Sequence, residues 1–508
     1  MSTRKNIKEI MSKRYIQIGI LIVLISLVGL ASTYAWFTWK SSSNTNVTLS
    51  IGNLADVTFT SGPDINISNL APVYNYTDGV STTFVMKNNS TTNNLNYGIK
   101  LDVTSIANEL KSESFKYTLL KDNKVVQTGN LKNAVNGKTL TLNTGLLAKG
   151  STSNYKLYFW IDGNIENSSS MMNKSLVGKI NIEEKLTYIN TLFNNSTKTS
   201  VTNGGITYQY DTTNNLMQDT AGNIRYYGAS PNNYIYFNCD SYPSTNCELW
   251  RIIGVFDGKI KLMRNSTIGT YSWDTSASSV NSGYGVNEWS QADLMKLLNP
   301  GHESESVGGS LYYNSKSGTC YNGQNNATVS CNFTSTGIKN DITRNMISET
   351  IYNTGGYGTA DVFSNVMYEK ERGITTVSNP SDGITRTTQW TGKIALAYLS
   401  DYGYATDLSK CSQTIYDYDN STCNSNDWMY SISNGNNWLL TPGSSSAFNA
   451  FYVTSTGCAN YNDHYNVCVA YGVAPALYLG SDQDIVSGDG SQSNPYQLAG
   501  NWFNVIKK

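Results

Sequence analysis

Residues 95–104 read LNYGIKLDVT, and this stretch indicates the fold class of the first half of the chain. Leucine, tyrosine, isoleucine, leucine and valine occupy alternate positions, with polar residues or glycine between them. Successive side chains of a β-strand point to opposite faces, so this alternation predicts a strand with one buried and one solvated face. A helix would place its apolar residues three and four positions apart instead. Residues 95–104 are therefore predicted to form a half-buried β-strand.

The same alternation recurs on both sides of this strand, at residues 47–51, 155–161 and 176–182. Turn-forming pairs separate further short apolar runs, at Asp122-Asn123 and Asn136-Gly137. Short alternating strands at this spacing are typical of an antiparallel sandwich. Residues 41–185 are therefore predicted to be an all-β sandwich, with one short helix at residues 105–111.

The first 39 residues predict export. Basic residues precede an uncharged and mostly apolar stretch at residues 15–39; they are Arg4, Lys5, Lys8, Lys13 and Arg14. This charge order places the start of the chain in the cytoplasm and the remainder of the chain outside it. Residues 1–39 are predicted to be a signal peptide cleaved near Ala35. The alternative is a membrane anchor, with Trp36 and Trp39 at its outer edge.

All eight cysteines lie in the second half of the chain, in four closely spaced pairs. The pairs are Cys239 and Cys247, Cys320 and Cys331, Cys411 and Cys423, and Cys458 and Cys468. Local pairs of this kind predict disulfides that close short loops in an oxidising compartment. The intervals are too long for zinc knuckles. Free buried cysteines remain the alternative.

Residues 186–204 are polar and turn-prone and are predicted to be a linker to a second region at residues 205–500. In this region the spacing of apolar residues predicts helices at 290–299, capped by Ser290, and at 338–351. Strands are predicted around them, including a hairpin through Asp257-Gly258. Further strands are predicted at residues 393–399, 438–440, 451–454 and 474–479. The second region is therefore predicted to be an α+β domain with local disulfides.

The overall charge argues against one class of partner. The 508 residues carry a formal net charge of -1, and 14% of them are charged. The chain has neither a basic patch nor an acidic tail, so a nucleic-acid partner is not expected.

The apolar leader and the region behind it resemble a known family. The leader ends in ASTYAWFT at residues 31–38, and a short strand and a sandwich come after it. Residues 10–185 look like the TasA/camelysin group of bacterial surface and biofilm-matrix proteins. The resemblance implies a jelly-roll-like sandwich, processing by a signal peptidase, and assembly through an N-terminal strand. Camelysins are named as metalloproteases, but this region contains no histidine, so peptidase activity is not expected.

The second region resembles an uncharacterised lectin-like family, similar to the formylglycine-generating-enzyme branch of the C-type-lectin superfold. The segments that carry this resemblance are WRIIGV (250–255), SDYGYA (400–405), NWLLTP (437–442) and GVAPAL (472–477). Usual members have arginine where Ala474 stands. The copper-binding cysteine pair of the formylglycine enzyme has no counterpart in this chain. Carbohydrate binding is implied by analogy of fold alone.

Few side chains suggest a specific site. Trp428, Trp438 and Tyr452 are candidates for a sugar-stacking face, with core packing as the alternative for Trp438. Weak calcium candidates are Asp417 and Asp419 in one cysteine loop, and Asp482 and Asp484 near the end of the chain. His302 and His464 are the only histidines that a catalytic arrangement could use. No catalytic residue and no cofactor other than calcium is predicted.

Together these features predict a non-catalytic bacterial protein of the cell surface or extracellular matrix, with a structural or adhesive role. A glycan- or ligand-binding lectin-like module and an enzyme of unknown reaction are the alternatives. The expected partners are the membrane before cleavage, a surface glycan or protein, and further copies of the chain. Self-assembly would use the strand at residues 47–51 for exchange between subunits, whereas pairing within its own sandwich is the alternative.

Overall fold

The computed structural model describes twelve stretches of the chain. They are residues 47–51, 55–60, 65–68, 70–89, 95–165, 168–184, 186–276, 283–373, 384–432, 435–460, 466–480 and 483–498. The predicted leader at residues 1–39 lies outside these stretches. Within them, no helix is long and apolar enough to cross a membrane.

The first part of the chain folds as two β-sheets. Its strands are β1 (Val47–Ile51), β2 (Ala55–Thr60), β3 (Ile65–Ile67), β4 (Pro72–Val73), β5 (Val80–Asn88), β6 (Leu95–Ile106), β7 (Phe115–Lys121), β8 (Lys124–Asn130), β9 (Lys138–Leu147), β10 (Thr152–Asp162) and β11 (Leu176–Glu184). One sheet has the order β1-β2-β5-β10-β7-β8, with β4 beside β10, and the other has the order β3-β11-β6-β9. The predominantly β character predicted for this part is confirmed, and we refer to it as the sandwich.

Residues 95–104 form most of β6 and show why the two sheets pack together. Leu95, Tyr97, Ile99, Leu101 and Val103 are each at most 3% exposed, as the alternation predicts. They join one hydrophobic cluster with side chains from the other sheet, including Phe115, Leu119, Leu157 and Ile161. The core of the sandwich thus lies between the two sheets.

Hairpin turns form where the sequence predicts them. The residues that join β7 to β8, Asp122 and Asn123, have φ values of 49° and 65°. Positive φ at both central residues is characteristic of the type I′ turn, which matches the twist of paired strands. The predicted helix at residues 105–111 is wrong, because β6 continues to Ile106 and only a single 3-10 turn comes after it at Asn108–Leu110.

The rest of the chain forms a second unit of strands and short helices. Its helices are α1 (Tyr188–Asn195), α2 (Asp293–Leu298), α3 (Asp341–Met346), α4 (Ser364–Glu371), α5 (Leu399–Ala405) and α6 (Ser421–Asn424). Its strands are β12 (Thr199–Asn203), β13 (Ile206–Asp211), β14 (Leu216–Gln218), β15 (Ile224–Tyr226), β16 (Tyr234–Phe237), β17 (Glu248–Phe256), β18 (Lys259–Arg264), β19 (Thr270–Ser272), β20 (Ser317–Tyr321), β21 (Thr328–Asn332), β22 (Thr350–Asn353), β23 (Gln389–Gly392), β24 (Ile394–Ala395), β25 (Asn437–Pro442), β26 (Ala450–Val453), β27 (Ala459–Asn460), β28 (Ala470–Gly472), β29 (Ala476–Tyr478), β30 (Ile485–Ser487) and β31 (Gln497–Leu498). We call this part the C-terminal unit.

Two larger sheets organise the C-terminal unit. The first has the order β12-β13-β14-β15-β17-β18-β29-β24, with β16 beside β17, and the second has the order β19-β28-β25-β26-β27. The unit contains a small hydrophobic cluster around Tyr208 and Tyr404 and a large one that runs from Ile189 to Leu498. Among its most deeply buried side chains are those of Trp250, Trp273 and Trp428. This aromatic core is separate from the core of the sandwich.

Residues 186–204, predicted to be a linker, are folded. Thr187 and Asn190 form a capping box that starts α1. Ile189 and Phe193 on this helix are at most 5% exposed and belong to the core of the C-terminal unit. The next strand, β12, pairs along its full length with β13. The turn-prone composition of these residues therefore did not indicate the apolar face of α1 or the edge strand β12.

Two predicted helices are shorter than their apolar spacing suggested. Ser290 does not cap α2, because its backbone N–H donates to Glu288 and the helix begins at Asp293. The second predicted helix ends at Met346, since Ile351 pairs with Thr391 in the β22–β23 ladder. Strand pairing thus overrides the local helical spacing.

The strand predicted at residues 393–399 is also shorter than expected, at Ile394–Ala395. Helix α5 comes next, because the Asp401 carboxylate accepts the backbone N–H of Tyr398 and so caps the helix start. The predicted hairpin through Asp257-Gly258 is confirmed by the pairing of β17 with β18.

Candidate functional site

The sandwich and the C-terminal unit meet beside strands β8 and β22. The Gln127 side chain in β8 bridges the two units, because its Nε2 donates to the Glu349 carbonyl (3.2 Å). Its Oε1 accepts a hydrogen bond from Lys259 Nζ (2.9 Å). These contacts fix β8 against the start of β18 and bring the Asp257-Gly258 turn close to Thr144 of β9.

A cleft opens beside this contact, with a volume of about 330 Å³. We call it the junction cleft. Its lining residues from the sandwich are Tyr97, Lys121, Lys124, Val125, Val126, Asn143, Thr144 and Gly145; those from the C-terminal unit are Asn223, Phe256, Asp257, Lys259, Thr350, Ile351, Asn353, Tyr368, Arg372, Gln389 and Tyr478. The volume is within the range of small-molecule sites. Aromatic rings, amides and charged side chains share the walls.

Lys259 is the most deeply buried charged group in this wall, at 7% exposure. Its ammonium donates to Gln127 and lies 3.4 Å from Thr350 Oγ1. Burial lowers the pKa of Lys259 to about 8, and the nearby Asp257 only partly opposes this shift. The charged form of this lysine is therefore held in a site that desolvates it.

The cleft wall also carries a stacked cation. The Arg372 guanidinium lies 3.4 Å from the centroid of the Tyr368 ring. It also lies 3.4 Å from the Glu371 carboxylate, which is fully buried. On the sandwich side, Lys121 donates to the Leu146 carbonyl (2.9 Å). Both cations are thus held in place by neighbouring groups while they line the cavity.

A buried ionic network lies behind the cleft wall. Arg225 donates to Asp219 (2.6 Å) and to Asp401 (2.8 Å), and Lys261 pairs with the other oxygen of Asp401 (2.5 Å). All four side chains are at most 1% exposed. The Arg225 guanidinium also lies 4.5 Å from the ring of Phe256, which lines the cleft. The network therefore supports the wall but does not reach the cavity itself.

The three aromatic residues predicted to form a sugar-stacking face are buried. Trp428, Trp438 and Tyr452 are at most 2% exposed. The indole N–H of Trp428 donates to the Tyr226 carbonyl (3.1 Å), and that of Trp438 donates to the Tyr271 carbonyl (3.1 Å). The predicted face is therefore corrected: all three side chains pack in the core, and both indole donors are satisfied there.

The acidic calcium candidates do not come together. Asp417 and Asp419 are both exposed. Asn420, which comes after them, caps α6 by accepting the backbone N–H of Thr422 at its side-chain oxygen. Asp484 lies near β30 in another part of the unit, and Asp482 lies outside the described residues. Among the described stretches, no group of three or more His, Cys, Asp or Glu residues could hold a metal ion. Calcium binding stays a prediction.

Neither histidine is part of the cleft wall as the structure describes it. His302 Nδ1 lies 3.4 Å from Glu305 Oε1, and neither residue lines the cleft. His464 lies outside the described residues.

Three of the four predicted disulfides are present. They join Cys239 to Cys247, Cys320 to Cys331 and Cys411 to Cys423, with Cα–Cα distances of 3.8, 5.9 and 4.8 Å. The fourth is corrected, because Cys458 and Cys468 are both free thiols. Different elements hold these two residues: the Cys458 carbonyl accepts Thr454 N, and the Cys468 carbonyl accepts Ser272 Oγ. The three bonds indicate an oxidising environment, such as the cell exterior.

Mapping of peptides under non-reducing conditions should recover these three bonds and two free thiols. Burial raises the pKa of the Cys458 thiol to about 11 and also raises that of Cys468. Because the thiolate is the nucleophile, iodoacetamide should modify both residues slowly in the folded protein and rapidly after denaturation. A peptide that joins Cys458 to Cys468 would contradict the structure.

Lys259, Arg372 and Gln127 were not identified as site residues from the sequence. They are distant in the chain and belong to both units. Only the tertiary fold brings Lys259 and Arg372 to one cavity and Gln127 into contact with Lys259. The only local signal was the Asp257-Gly258 turn, which places Lys259 directly after a hairpin bend.

The sequence matches no family model and no curated protein. Solved structures that are similar to parts of it include the following three. A family 35 carbohydrate-binding module from an environmental isolate has 14% identity, with 30% of this chain and 89% of that chain covered, at a TM-score of 0.16. The C-terminal domain of EclA, a sugar-binding protein, has 14% identity, with 30% of this chain and 94% of that chain covered, at a TM-score of 0.12. A beta-glucosidase from Kluyveromyces marxianus in complex with glucose has 10% identity, with 25% of this chain and 14% of that chain covered, at a TM-score of 0.13. Similarity at these TM-scores defines neither fold nor ligand.

Proposed function

We propose that this protein is a non-catalytic, extracellular binding protein that holds a saccharide in the junction cleft. The observation that carries the proposal is the cleft itself, with a volume of about 330 Å³ and walls from both units. The three disulfides support a location outside the cytoplasm. The role is the ligand-binding alternative that the sequence left open.

The chemistry of the walls suits a saccharide. Asn143, Asn353 and Gln389 offer side-chain amides, each of which can donate and accept hydrogen bonds. Saccharide hydroxyls need both kinds of partner. Tyr97, Phe256 and Tyr478 add aromatic rings to the walls. A few polar groups set among aromatic walls are the usual composition of a small-molecule site.

Filling the cleft tests the proposal. Val125 lines the cavity and is half-buried, so Val125→Trp places an indole in the space that a ligand would occupy. We expect this variant to weaken saccharide binding by about tenfold or more, equivalent to a loss of about 1.4 kcal/mol. The measurement is a glycan array with the exported full-length protein, and then calorimetry on the saccharides that bind.

The matched control is Val135→Trp, since Val135 is 53% exposed and does not line the cleft. It should bind like the unmodified protein. Absence of any saccharide ligand, or equal affinity of the Val125→Trp variant, would contradict the proposal.

A place at the bacterial surface is part of the proposal. The sandwich, which resembles the TasA/camelysin group of surface proteins, would carry the C-terminal unit away from the membrane. Strand β1 pairs with β2 of the same chain, from Val47 opposite Phe59 to Ile51 opposite Ala55. This internal pairing is the alternative to strand exchange, so self-assembly stays a prediction.

A further inference from the structure

Lys259 differs from the other buried lysine of its strand in forming no salt bridge with a carboxylate of the described residues. Lys261, two positions further along β18, forms a salt bridge with Asp401. Lys259 is 7% exposed, and its acceptors are the neutral oxygens of Gln127 and Thr350. No described carboxylate forms a salt bridge with it. A buried charge normally has an ionic partner, because desolvation without one is costly.

The surroundings of Lys259 do not supply that partner. Four basic side chains line the junction cleft, Lys121, Lys124, Lys259 and Arg372, and the one acidic side chain in its described wall is Asp257. Asp257 raises the pKa of Lys259, but burial has the larger effect and lowers it overall. The cavity therefore has an excess of positive charge at the point where the ammonium is least solvated.

The ammonium also has unused bonding capacity. A lysine has three N–H donors, and two neutral acceptors surround this one. One donor thus remains for a group in the cleft. One hydrogen bond and one charge match one oxygen of a carboxylate, whereas phosphate sites usually gather several donors at once.

We infer that the junction cleft selects an acidic saccharide, whose carboxylate pairs with the ammonium of Lys259. This inference rests on the proposed function and specifies the class of its ligand. Lys124 at the exposed side of the cleft adds to the attraction for an anion.

Trigalacturonate and its fully methyl-esterified form provide a direct test, because they share one saccharide framework and differ in charge. Calorimetry at pH 7 should show the acid binding about tenfold or more tightly than the ester, as expected for a desolvated ion pair. Lys259→Met should make the two affinities equal, because it should weaken the binding of the acid and leave the binding of the ester unchanged. Lys138→Met is the control, since Lys138 is exposed and lies outside the cleft. It should leave the ratio unchanged.

The unmodified protein gives a second readout that does not depend on a variant. Affinity for the acid should fall as the pH rises through the pKa of Lys259, while affinity for the ester should stay constant. Asp257, Glu349, Lys121, Lys124 and Arg372 also lie around this lysine. If the Lys259→Met variant loses the pH dependence of acid binding, that dependence is due to Lys259 and not to one of these other groups.

The outcomes separate the two proposals. Equal affinities for acid and ester, or a preference that survives Lys259→Met, would overturn the inference and leave saccharide binding in the cleft intact. Failure of both trisaccharides would overturn the inference as well, and the glycan array with Val125→Trp decides the proposed function independently.

Discussion

Asp401→Asn should destabilise the C-terminal unit by about 3–5 kcal/mol. The Asp401 carboxylate pairs with Arg225 at 2.8 Å and with Lys261 at 2.5 Å, and all three side chains are buried. The substitution removes the negative charge that both cations share and leaves Lys261 without an ionic partner. Breaking a buried pair on one side is costly, because the remaining charge stays desolvated. Urea unfolding monitored by circular dichroism measures the loss.

A surface pair of the same length is the matched control. Arg344 Nη1 lies 2.8 Å from Asp341 Oδ1, but the Asp341 side chain is 89% exposed. Asp341→Asn should therefore cost about 0–1 kcal/mol. Adding Lys261→Met to Asp401→Asn should recover part of the lost stability. Equal effects of Asp401→Asn and Asp341→Asn would show that the network does not support the fold.

The same carboxylate gives the protein a dependence on acid. Burial raises the pKa of Asp401, but Lys261 and Arg225 outweigh burial and hold it well below its ordinary value. A group whose pKa is lower in the folded state stabilises the fold at pH values above its unfolded pKa, about 4. This contribution is lost as the pH falls through the folded pKa. Acid unfolding of Asp401→Asn should lack this component.

Trp428→Ala should destabilise the protein by about 3–5 kcal/mol, the range for removing a large buried aromatic side chain. Trp428 is 0% exposed, and its ring lies 4.8 Å from the guanidinium of Arg251. Truncation leaves a cavity and removes the donor to the Tyr226 carbonyl. Chemical unfolding measures this loss, and calorimetry on the folded fraction measures saccharide affinity.

Tyr74→Ala is the control for an aromatic residue at the surface. Tyr74 is 80% exposed, so its removal should change stability by less than about 0.5 kcal/mol. If Trp428→Ala instead kept full stability and lost saccharide binding, Trp428 would belong to a ligand site and the core assignment would be wrong.

Local patterns in the sequence predicted those parts of the fold that local interactions determine. Alternation in residues 95–104 identified β6, because one face of that strand is buried and the other is not. The pairs Asp122-Asn123 and Asp257-Gly258 identified two hairpins, since few residues adopt positive φ easily. Three cysteine pairs were also predicted from their close spacing.

The site could not be predicted in this way, because its residues are joined only by tertiary contacts. Gln127 and Lys259 are 132 positions apart, and neither belongs to a recognisable motif. Trp428 looked like a ligand-stacking residue because exposure is not encoded in residue type. The SDYGYA segment marked a resemblance, but only the structure shows that its Asp401 joins two buried cations.

The three disulfides have a mechanical consequence. Each closes a loop between cysteines 8, 11 or 12 positions apart, and none of these three bonds joins the sandwich to the C-terminal unit or one large sheet to the other. Under a pulling force along the chain, these bonds would prevent only three short loops from extending. The load would fall on the hydrogen bonds between strands and on the packed cores. Reduction of the disulfides would therefore loosen local loops, while the tensile strength of the molecule would still be set by its sheets.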